Sequence, residues 1–293
     1  MTYRALYLWA RDTLRGAGID DAGLDAILLV EHCFGLDRQG LALQGEQDAP
    51  PALEERFRQA VLARVEHTPL QYILGRWEFM GLTLSVGEGV LVPREDTVTL
   101  VETAAARATA GLPAGGTAEF KARGLDLCAG SGAVALGLAT LLPNIEMTCI
   151  ELSPAALAYL TQNRAAYPQY AVKAEQGDVL LPETAARYKD GSFDLLVANP
   201  PYIRTEELAT LQAEVQREPK LALDGGEDGL KFYRAICELW AKKLRPGGIL
   251  AVEIGDEQGE SVSALFRACG LQKVEVYQDW AGKDRCVCGR MRA

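Results

Sequence analysis

Five short apolar runs, "GLDLCAG", "IEMTCIE", "YAVKAEQGD", "FDLLVANP" and "GGILAVEIG", alternate with helical patterns through the later two thirds of the chain. Buried parallel strands joined by crossover helices produce this rhythm, which predicts a doubly wound sheet. The end of the chain breaks it. "LQKVEVYQDWAGKDRCVCGRMR" holds two strand-like runs joined by a Gly-containing turn instead of a helix, which predicts an antiparallel pair at one edge. The expected fold is therefore α/β: a Rossmann-like doubly wound sheet with a terminal antiparallel strand pair, preceded by a smaller region of different character.

That smaller region occupies the first quarter. "AGLDAILLVEHCFG" repeats apolar residues at three and four spacing and stops at Gly35, while "PALEERFRQAVLARVEH" opens after proline and alternates apolar and charged faces. Both are helical. In "EFMGLTLSVGEGVLVPRED" the alternation and Gly81, Gly87 and Gly89 indicate a hairpin-like connector that Pro93 ends. The expected organisation is a helical domain over 1–75, a hairpin connector over 76–93 and the sheet domain over 94–293.

Composition removes several function classes. Thirty Lys and Arg against 40 Asp and Glu give a net charge of −10, which opposes broad binding to a phosphate backbone. No direct nucleic-acid binding is expected. No apolar run reaches the roughly 18 residues of a membrane span, and the charges of "MTYRALYLWARDTLR" are unlike a signal peptide, so a cytoplasmic protein is expected. Seven scattered cysteines fit a reducing compartment, and Cys286 and Cys288, two apart on a strand, share a face and pack. The two histidines, His32 and His67, lie in helical patterns away from every glycine-rich loop, so no metal site is expected.

The stretch "LDLCAGSGAVALGLA" reads as a strand, a glycine turn and a helix. Gly130 and Gly132 let the backbone approach a ligand, and the helix that follows turns its free N–H groups toward it. Residues 130–135 also fit the dinucleotide form G-x-G-x-x-A. Glu151, 19 residues after Gly132, can accept both hydroxyls of a ribose, a role shared by binders of NAD and of S-adenosylmethionine. A glycine turn with an acidic cap would give the same pattern. Two features separate the cofactors. Asp126 yields D-x-C-x-G-x-G, which resembles the acid-first loop of S-adenosylmethionine methyltransferases with Cys128 at the commonest first-glycine place. Asp178 in "QGDVL" stands where an acid can accept from an adenine amino group, with Val179 against the ring, although an Asp in a turn is the plainer reading. Hydride transfer lacks a histidine acid or base.

"ANPPYI" asks why a strand should end so rigidly. The end of the fourth strand adjoins the glycine loop of the first, so this segment belongs to the cleft. Pro200 restricts Asn199 to extended angles and Pro201 restricts Pro200, which fixes the Asn199 side-chain carbonyl and the Pro200 backbone carbonyl as acceptors. A planar NH2 group held through both hydrogens has its nitrogen aimed, and Tyr202 offers a flat face beside it. Aim matters because the lone pair of an amide or base-ring nitrogen is delocalised. Asn199, Pro200 and Tyr202 are the candidate catalytic residues, and Asn199 to Tyr202 the candidate substrate-binding segment.

At this point the sequence resembles the N-methyltransferases that modify planar nitrogen in glutamine, adenine or cytosine. Further stretches narrow the likeness: "PLQYILGRWEFMGLTLSVGEGVLVPRED", "REPKLALDGGEDGLKFYRAI", "LRPGGILAVEIGDEQG" and "DWAGKDRCVCGR" are similar to the bacterial release factor glutamine N5-methyltransferases from about Pro69 to Arg290. The resemblance implies methyl transfer from S-adenosylmethionine, leaving S-adenosylhomocysteine, to the Gly-Gly-Gln glutamine of class I peptide chain release factors. It implies that Asn199 to Tyr202 bind that glutamine, that Cys128, Ala129, Gly130, Ser131, Gly132, Glu151 and Val179 line the cofactor, with Asp126, Asp178 and Asn199 completing the set, and that the N-terminal helices dock the partner. The family often has Pro-Arg-Pro-Glu-Thr-Glu where this chain reads "PREDTV"; Arg94 and Thr97 match, while Glu95, Asp96 and Val98 depart. The long connection after "NPPY" suggests a lid or substrate channel. Ribosomal-protein glutamine methyltransferases share "NPPY", DNA adenine N6-methylation is a further alternative, and "GKDR" favours the release-factor type.

Overall fold

The computed structural model describes residues 1–110 and 121–292. They divide into two compact units, Met1–Arg76 with Gln212–Arg217, and Trp77–Leu211 with Glu218–Ala293.

The first unit is helical: α1 (Tyr3–Gly16), α2 (Ala22–Phe34), α3 (Arg38–Gln44), α4 (Pro51–Val65) and α5 (Leu70–Leu74). Leu6, Ala10 and Leu14 recur every fourth residue on α1, and they bury one stripe against Leu29 and Val30 of α2 and Phe57 and Val61 of α4. Gly35 stops α2 in the left-handed conformation at φ 69°. Buried Arg64 donates to Asp25 at 2.7 Å and to Glu214 at 2.9 Å, which ties the segment 212–217 to α4. The sequence places His67 in a helix; instead α4 ends at Val65 and His67 lies beyond it at φ 59°, with Nδ1 3.3 Å from Glu214.

In the second unit β1 (Arg76–Phe79) and β2 (Leu82–Ser85) form the expected hairpin, followed by α6 (Thr97–Ala108). The main sheet is built from β3 (Ala122–Leu127), β4 (Ile145–Glu151), β5 (Ala171–Gln176), β6 (Phe193–Ala198), β7 (Leu244–Glu253), β8 (Leu271–Gln278) and β9 (Asp284–Met291). Its order is β5-β4-β3-β6-β7-β9-β8, with β3 to β7 parallel and β9 antiparallel to both of its neighbours. The doubly wound sheet and terminal antiparallel pair read from the sequence are thus both present. The helices between strands are α7 (Ala133–Leu141), α8 (Pro154–Ala166), the short α9 (Pro182–Ala185), α10 (Lys231–Ala235) and α11 (Gly259–Ala268).

Strand alternation sends side chains into two cores. Leu125, Leu127, Leu196 and Val252 pack on one face with Tyr233, Trp240 and Phe266, whereas Leu195, Val197 and Ala251 pack on the other with Leu100, Val101 and Leu136. Cys286 and Cys288 share the second of these faces and are fully buried. What positions the site is register: Leu127 lies opposite Ala198, so the loops after β3 and β6 leave the sheet side by side. Among the described residues no helix is long and apolar enough to cross a membrane.

Candidate active site

A cleft of about 910 Å3, open to solvent, lies at the carboxyl ends of the parallel strands. Its walls come from the loops after β3, β4, β5 and β6, faced by the segment Gly89–Arg94 with Thr97, and by Pro219, Leu221 and Ala222 from the long connection.

The loop after β3 turns on three left-handed residues, Cys128 at φ 64°, Gly130 at 55° and Gly132 at 83°. At Gly132 space also demands glycine, since a Cβ would sit 2.5 Å from Leu160 Cδ1 of α8. The Glu151 carboxylate holds the loop: Oε2 accepts from the Gly130 N–H and Oε1 from the Ser153 N–H, each at 2.7 Å. Buried Asn163 on α8 completes the bracing by donating to the carbonyls of Ser131 at 2.9 Å and Ser85 at 3.0 Å. Burial raises the Glu151 pKa, which these N–H groups oppose. Each carboxylate oxygen has one backbone partner here and keeps a second lone pair, so the residue fits a vicinal diol placed in the cleft. Asp178 closes a turn by accepting from the Leu180 N–H at 2.8 Å, and the Trp240 indole pins the Val179 carbonyl at 2.8 Å.

Of the residues singled out from sequence, Cys128, Ala129, Gly130, Ser131, Glu151, Asp178, Val179, Asn199 and Pro201 line this cleft; Asp126, Gly132, Pro200 and Tyr202 do not. Asp126 is set apart by alternation. Its neighbours Leu125 and Leu127 take one face of β3, so its carboxylate goes to the other, under the first turn of α7, where Oδ2 accepts from the Ala135 N–H at 3.1 Å. Fully buried, it is pushed up to about 8, and Oδ1 has no partner. Gly132 serves the contact between α7 and α8. The Cys128 thiol is pushed up by burial and then by Glu151, Asp126 and Asp178, which keeps it protonated and unreactive.

After β6, Pro200 and Pro201 are buried and Asn199 is half-buried at the cleft wall. Tyr202 packs instead against the core that holds Tyr233 and Trp240, and burial raises its phenol pKa. The long connection explains this placement. Ile203 donates to the Leu223 carbonyl at 3.0 Å and accepts from Gly225 at 2.8 Å, while Gln258 donates to the Tyr202 carbonyl at 3.0 Å. A Cβ on Gly225 would lie 2.7 Å from Tyr202 Cα, and one on Gly229 would lie 2.5 Å from the Tyr202 oxygen. The glycines of "LDGGEDGL" therefore let the connection back the "NPPY" segment, and its other part faces the cleft.

Two acids that sequence reading missed complete the site. Glu218, 3% exposed, accepts from the Val92 N–H at 2.9 Å and from the Arg94 guanidinium, which fixes the part of the cleft wall that Val92 and Arg94 form. Burial raises its pKa against the pull of Arg94. Glu253, the last residue of β7, is 2% exposed; burial raises its pKa to about 7, against the pull of the neighbouring Thr97 and Asn199, and Asn199 Nδ2 reaches Thr97 Oγ1 at 3.3 Å. The one signal of Glu253 in the sequence is an acid inside the otherwise apolar "GGILAVEIG". Among the departures from "PRPETE", Glu95 is exposed, and Asp96 pairs with Arg285 of "GKDR" at 3.4 Å.

A seven-stranded sheet of this order with a cleft at its carboxyl edge defines the Rossmann-like methyltransferase class. The fold resembles the hMettl16 catalytic domain solved with the MAT2A 3′UTR hairpin 6, with a TM-score of 0.56 over 83% of each chain at 13% identity, a likeness of fold alone. Residues 5–75 match the PrmC N-terminal domain family and residues 111–227 the Methyltransferase small domain family. The release factor glutamine methyltransferase of Moorella thermoacetica is 41% identical across 100% of this chain and 99% of its own, and that of Geobacter sulfurreducens is 40% identical across 99% and 97%. The chain belongs to the release factor glutamine methyltransferase family.

Proposed function

We propose that this enzyme transfers a methyl group from S-adenosylmethionine to the side-chain amide nitrogen (N5) of the glutamine in the Gly-Gly-Gln motif of class I peptide chain release factors. The observation that carries the reading is the Asn199 amide, whose Nδ2 is engaged on the protein side by Thr97 Oγ1 at 3.3 Å, at a cleft edge beside the glycine loop. Its oxygen is then the group left to meet a ligand, and an oxygen accepts from the N–H of an amide substrate.

Glu151, Asp178, Val179 and the Cys128–Ser131 loop would hold the cofactor, with Glu151 taking the ribose hydroxyls and Val179 the adenine face. When bound, the cofactor supplies a sulfonium-activated, electrophilic methyl group. The chain supplies orientation. Asn199 Oδ1 takes one N–H of the substrate amide, and Pro200, behind the cleft wall, keeps the Asn199 backbone extended, which aims the nitrogen lone pair along one direction without a strong base. Burial of both prolines holds the backbone that carries this acceptor. The carboxylates of Glu151 and Asp178 give the cleft a negative field suited to a cationic cofactor. The N-terminal helices dock the release factor.

Mass spectrometry of a purified bacterial release factor incubated with enzyme and S-adenosylmethionine tests this. One added methyl, lost when the Gly-Gly-Gln glutamine is replaced by alanine, is the expected result. An unmodified release factor, with cofactor binding confirmed by calorimetry, would refute the substrate.

A further inference from the structure

We propose that Glu218 is a positioning residue for the methyl acceptor: it clasps the strap 219–222 to the wall at Val92 and Arg94, so that Leu221 packs on the glutamine-bearing segment of the acceptor protein. This rests on the amide-methylating reading above. The strap is held at both ends. At the front, Glu218 Oε2 accepts from the Val92 N–H at 2.9 Å and Oε1 accepts from the Arg94 guanidinium. At the rear, buried Leu223 accepts from the Ile203 N–H at 3.0 Å, and the Ile203 carbonyl accepts from the Gly225 N–H at 2.8 Å. Between these buried ends runs a single 3-10 turn, Lys220–Ala222, closed by the Ala222 N–H on the Pro219 carbonyl at 2.8 Å. Its middle stands free: Lys220 is exposed, and Leu221 is 51% exposed where it lines the cleft. Covering that side chain in a complex would remove apolar area from water.

Both anchors belong to the Asn199 side of the cleft. The Arg94 carbonyl accepts from the Thr97 N–H at 3.1 Å, Thr97 Oγ1 accepts from Asn199 Nδ2 at 3.3 Å, and Ile203 follows Asn199 by four residues. Chain and hydrogen bonds thus close a circuit, from Glu218 through Arg94, Thr97, Asn199, Ile203 and Leu223 back to Glu218. Arg94, Thr97 and Asn199 line the cleft from this circuit, together with Pro219, Leu221 and Ala222 of the strap. An amide held at Asn199 is framed by it, so the peptide that carries the amide passes over the strap. Glu218 lies outside the cleft lining and acts through the strap. Its carboxylate serves one donor with each oxygen. A glutamine there has a single acceptor oxygen, so its NH2 must face the Val92 N–H or the guanidinium, donor against donor. Glu218→Gln therefore opens the clasp at almost constant size, and Leu221→Ala shortens the strap's contact without removing a buried group.

The test follows wild type, Glu218→Gln and Leu221→Ala in steady-state methylation of release factor, in calorimetry with S-adenosylmethionine, and in amide hydrogen exchange of residues 218–225 read by mass spectrometry. Glu218→Gln is expected to raise the KM for release factor about tenfold while kcat falls less than about threefold, and to speed exchange of the strap about tenfold. Leu221→Ala is expected to raise the same KM about fivefold with strap exchange and melting temperature unchanged. Cofactor affinity should stay within about twofold in both. Combining the two should cost less than the sum of the single effects, because an open strap no longer presents Leu221. Unchanged exchange in Glu218→Gln, a wild-type KM in either variant, or cofactor affinity lost as far as acceptor affinity overturns the proposal. Should wild type leave the release factor unmodified, the substrate reading fails and the packing on that acceptor with it, while faster exchange in Glu218→Gln leaves the clasp standing. If Glu218→Gln does not fold, Glu218→Asp, one methylene short of its two partners, carries the same comparison.

Discussion

The loops after β3 and β6 leave adjacent parallel strands at the same level, Leu127 beside Ala198, yet they are built from opposite residues. The first takes three left-handed backbone angles and is held by one carboxylate, so what it offers a ligand is close backbone approach. The second is locked by two buried prolines and offers a side-chain amide held from outside the loop, by Thr97. Freedom of φ serves binding, and loss of it serves aim. A loop that must come near can carry its own instructions in glycine, whereas a loop that must point in one direction depends on elements that arrive from elsewhere in the chain.

Exchanging the two defects should break the comparison most sharply. Asn199→Ala removes the aimed acceptor and is expected to lower kcat about a thousandfold with little change in cofactor affinity. Glu151→Ala should do the reverse: losing charge-assisted hydrogen bonds worth about 1.5–3 kcal/mol weakens cofactor binding about 10–150-fold, and kcat at saturating cofactor falls less. Isothermal titration paired with single-turnover rates separates the two. If Asn199→Ala weakened cofactor binding as much as Glu151→Ala does, the division between a binding loop and an aiming loop would collapse.

A milder break targets the backing of the second loop. At Gly229, φ is 72° and a Cβ would fall 2.5 Å from the Tyr202 oxygen and 2.6 Å from Gln258 Nε2. Gly229→Ala must therefore strain its own backbone and shift Tyr202, at a cost of about 1–3 kcal/mol. The expected signature is a lowered melting temperature and a kcat reduced about tenfold, with unaltered cofactor affinity. A variant that loses stability but keeps kcat would show that the connection supports the fold without supporting the aim of Asn199.

The same contrast accounts for what the sequence disclosed. Apolar runs, glycine turns and the Asn-Pro-Pro-Tyr segment are local, so the sheet, its antiparallel end, the hairpin and most of the cleft lining follow from short stretches. Contacts that join distant stretches do not: Glu218 meets Arg94 across 124 residues, and Glu253 comes beside Asn199 only because β6 and β7 become neighbours. The burial of Tyr202 depends likewise on glycines more than twenty residues away. Asp126 is a different case. Motif position suggests a ligand-facing acid, but the period of two along β3, with Leu125 and Leu127 in one core, sends it to the other side.

The smallest expected effect lies inside the first loop, at the one left-handed position among its three that is not glycine. Cys128 at φ 64° bears a side chain that this conformation penalises by about 1–2 kcal/mol. Cys128→Gly removes that strain but gives back about 0.5–1 kcal/mol through greater freedom of the unfolded chain, and it also surrenders the packing of a partly buried thiol. These terms nearly cancel and leave at most about 1 kcal/mol of stabilisation, a rise of about 2–4 °C in melting temperature. Because the thiol is held protonated beside three carboxyl groups and performs no chemistry, the variant should keep both cofactor affinity and kcat. A fall in melting temperature would mean that thiol packing outweighs backbone strain at this position. A fall in cofactor affinity with stability intact would mean that Cys128 contributes a side-chain contact in a loop otherwise built on backbone approach, and the contrast with Asn199 would narrow accordingly.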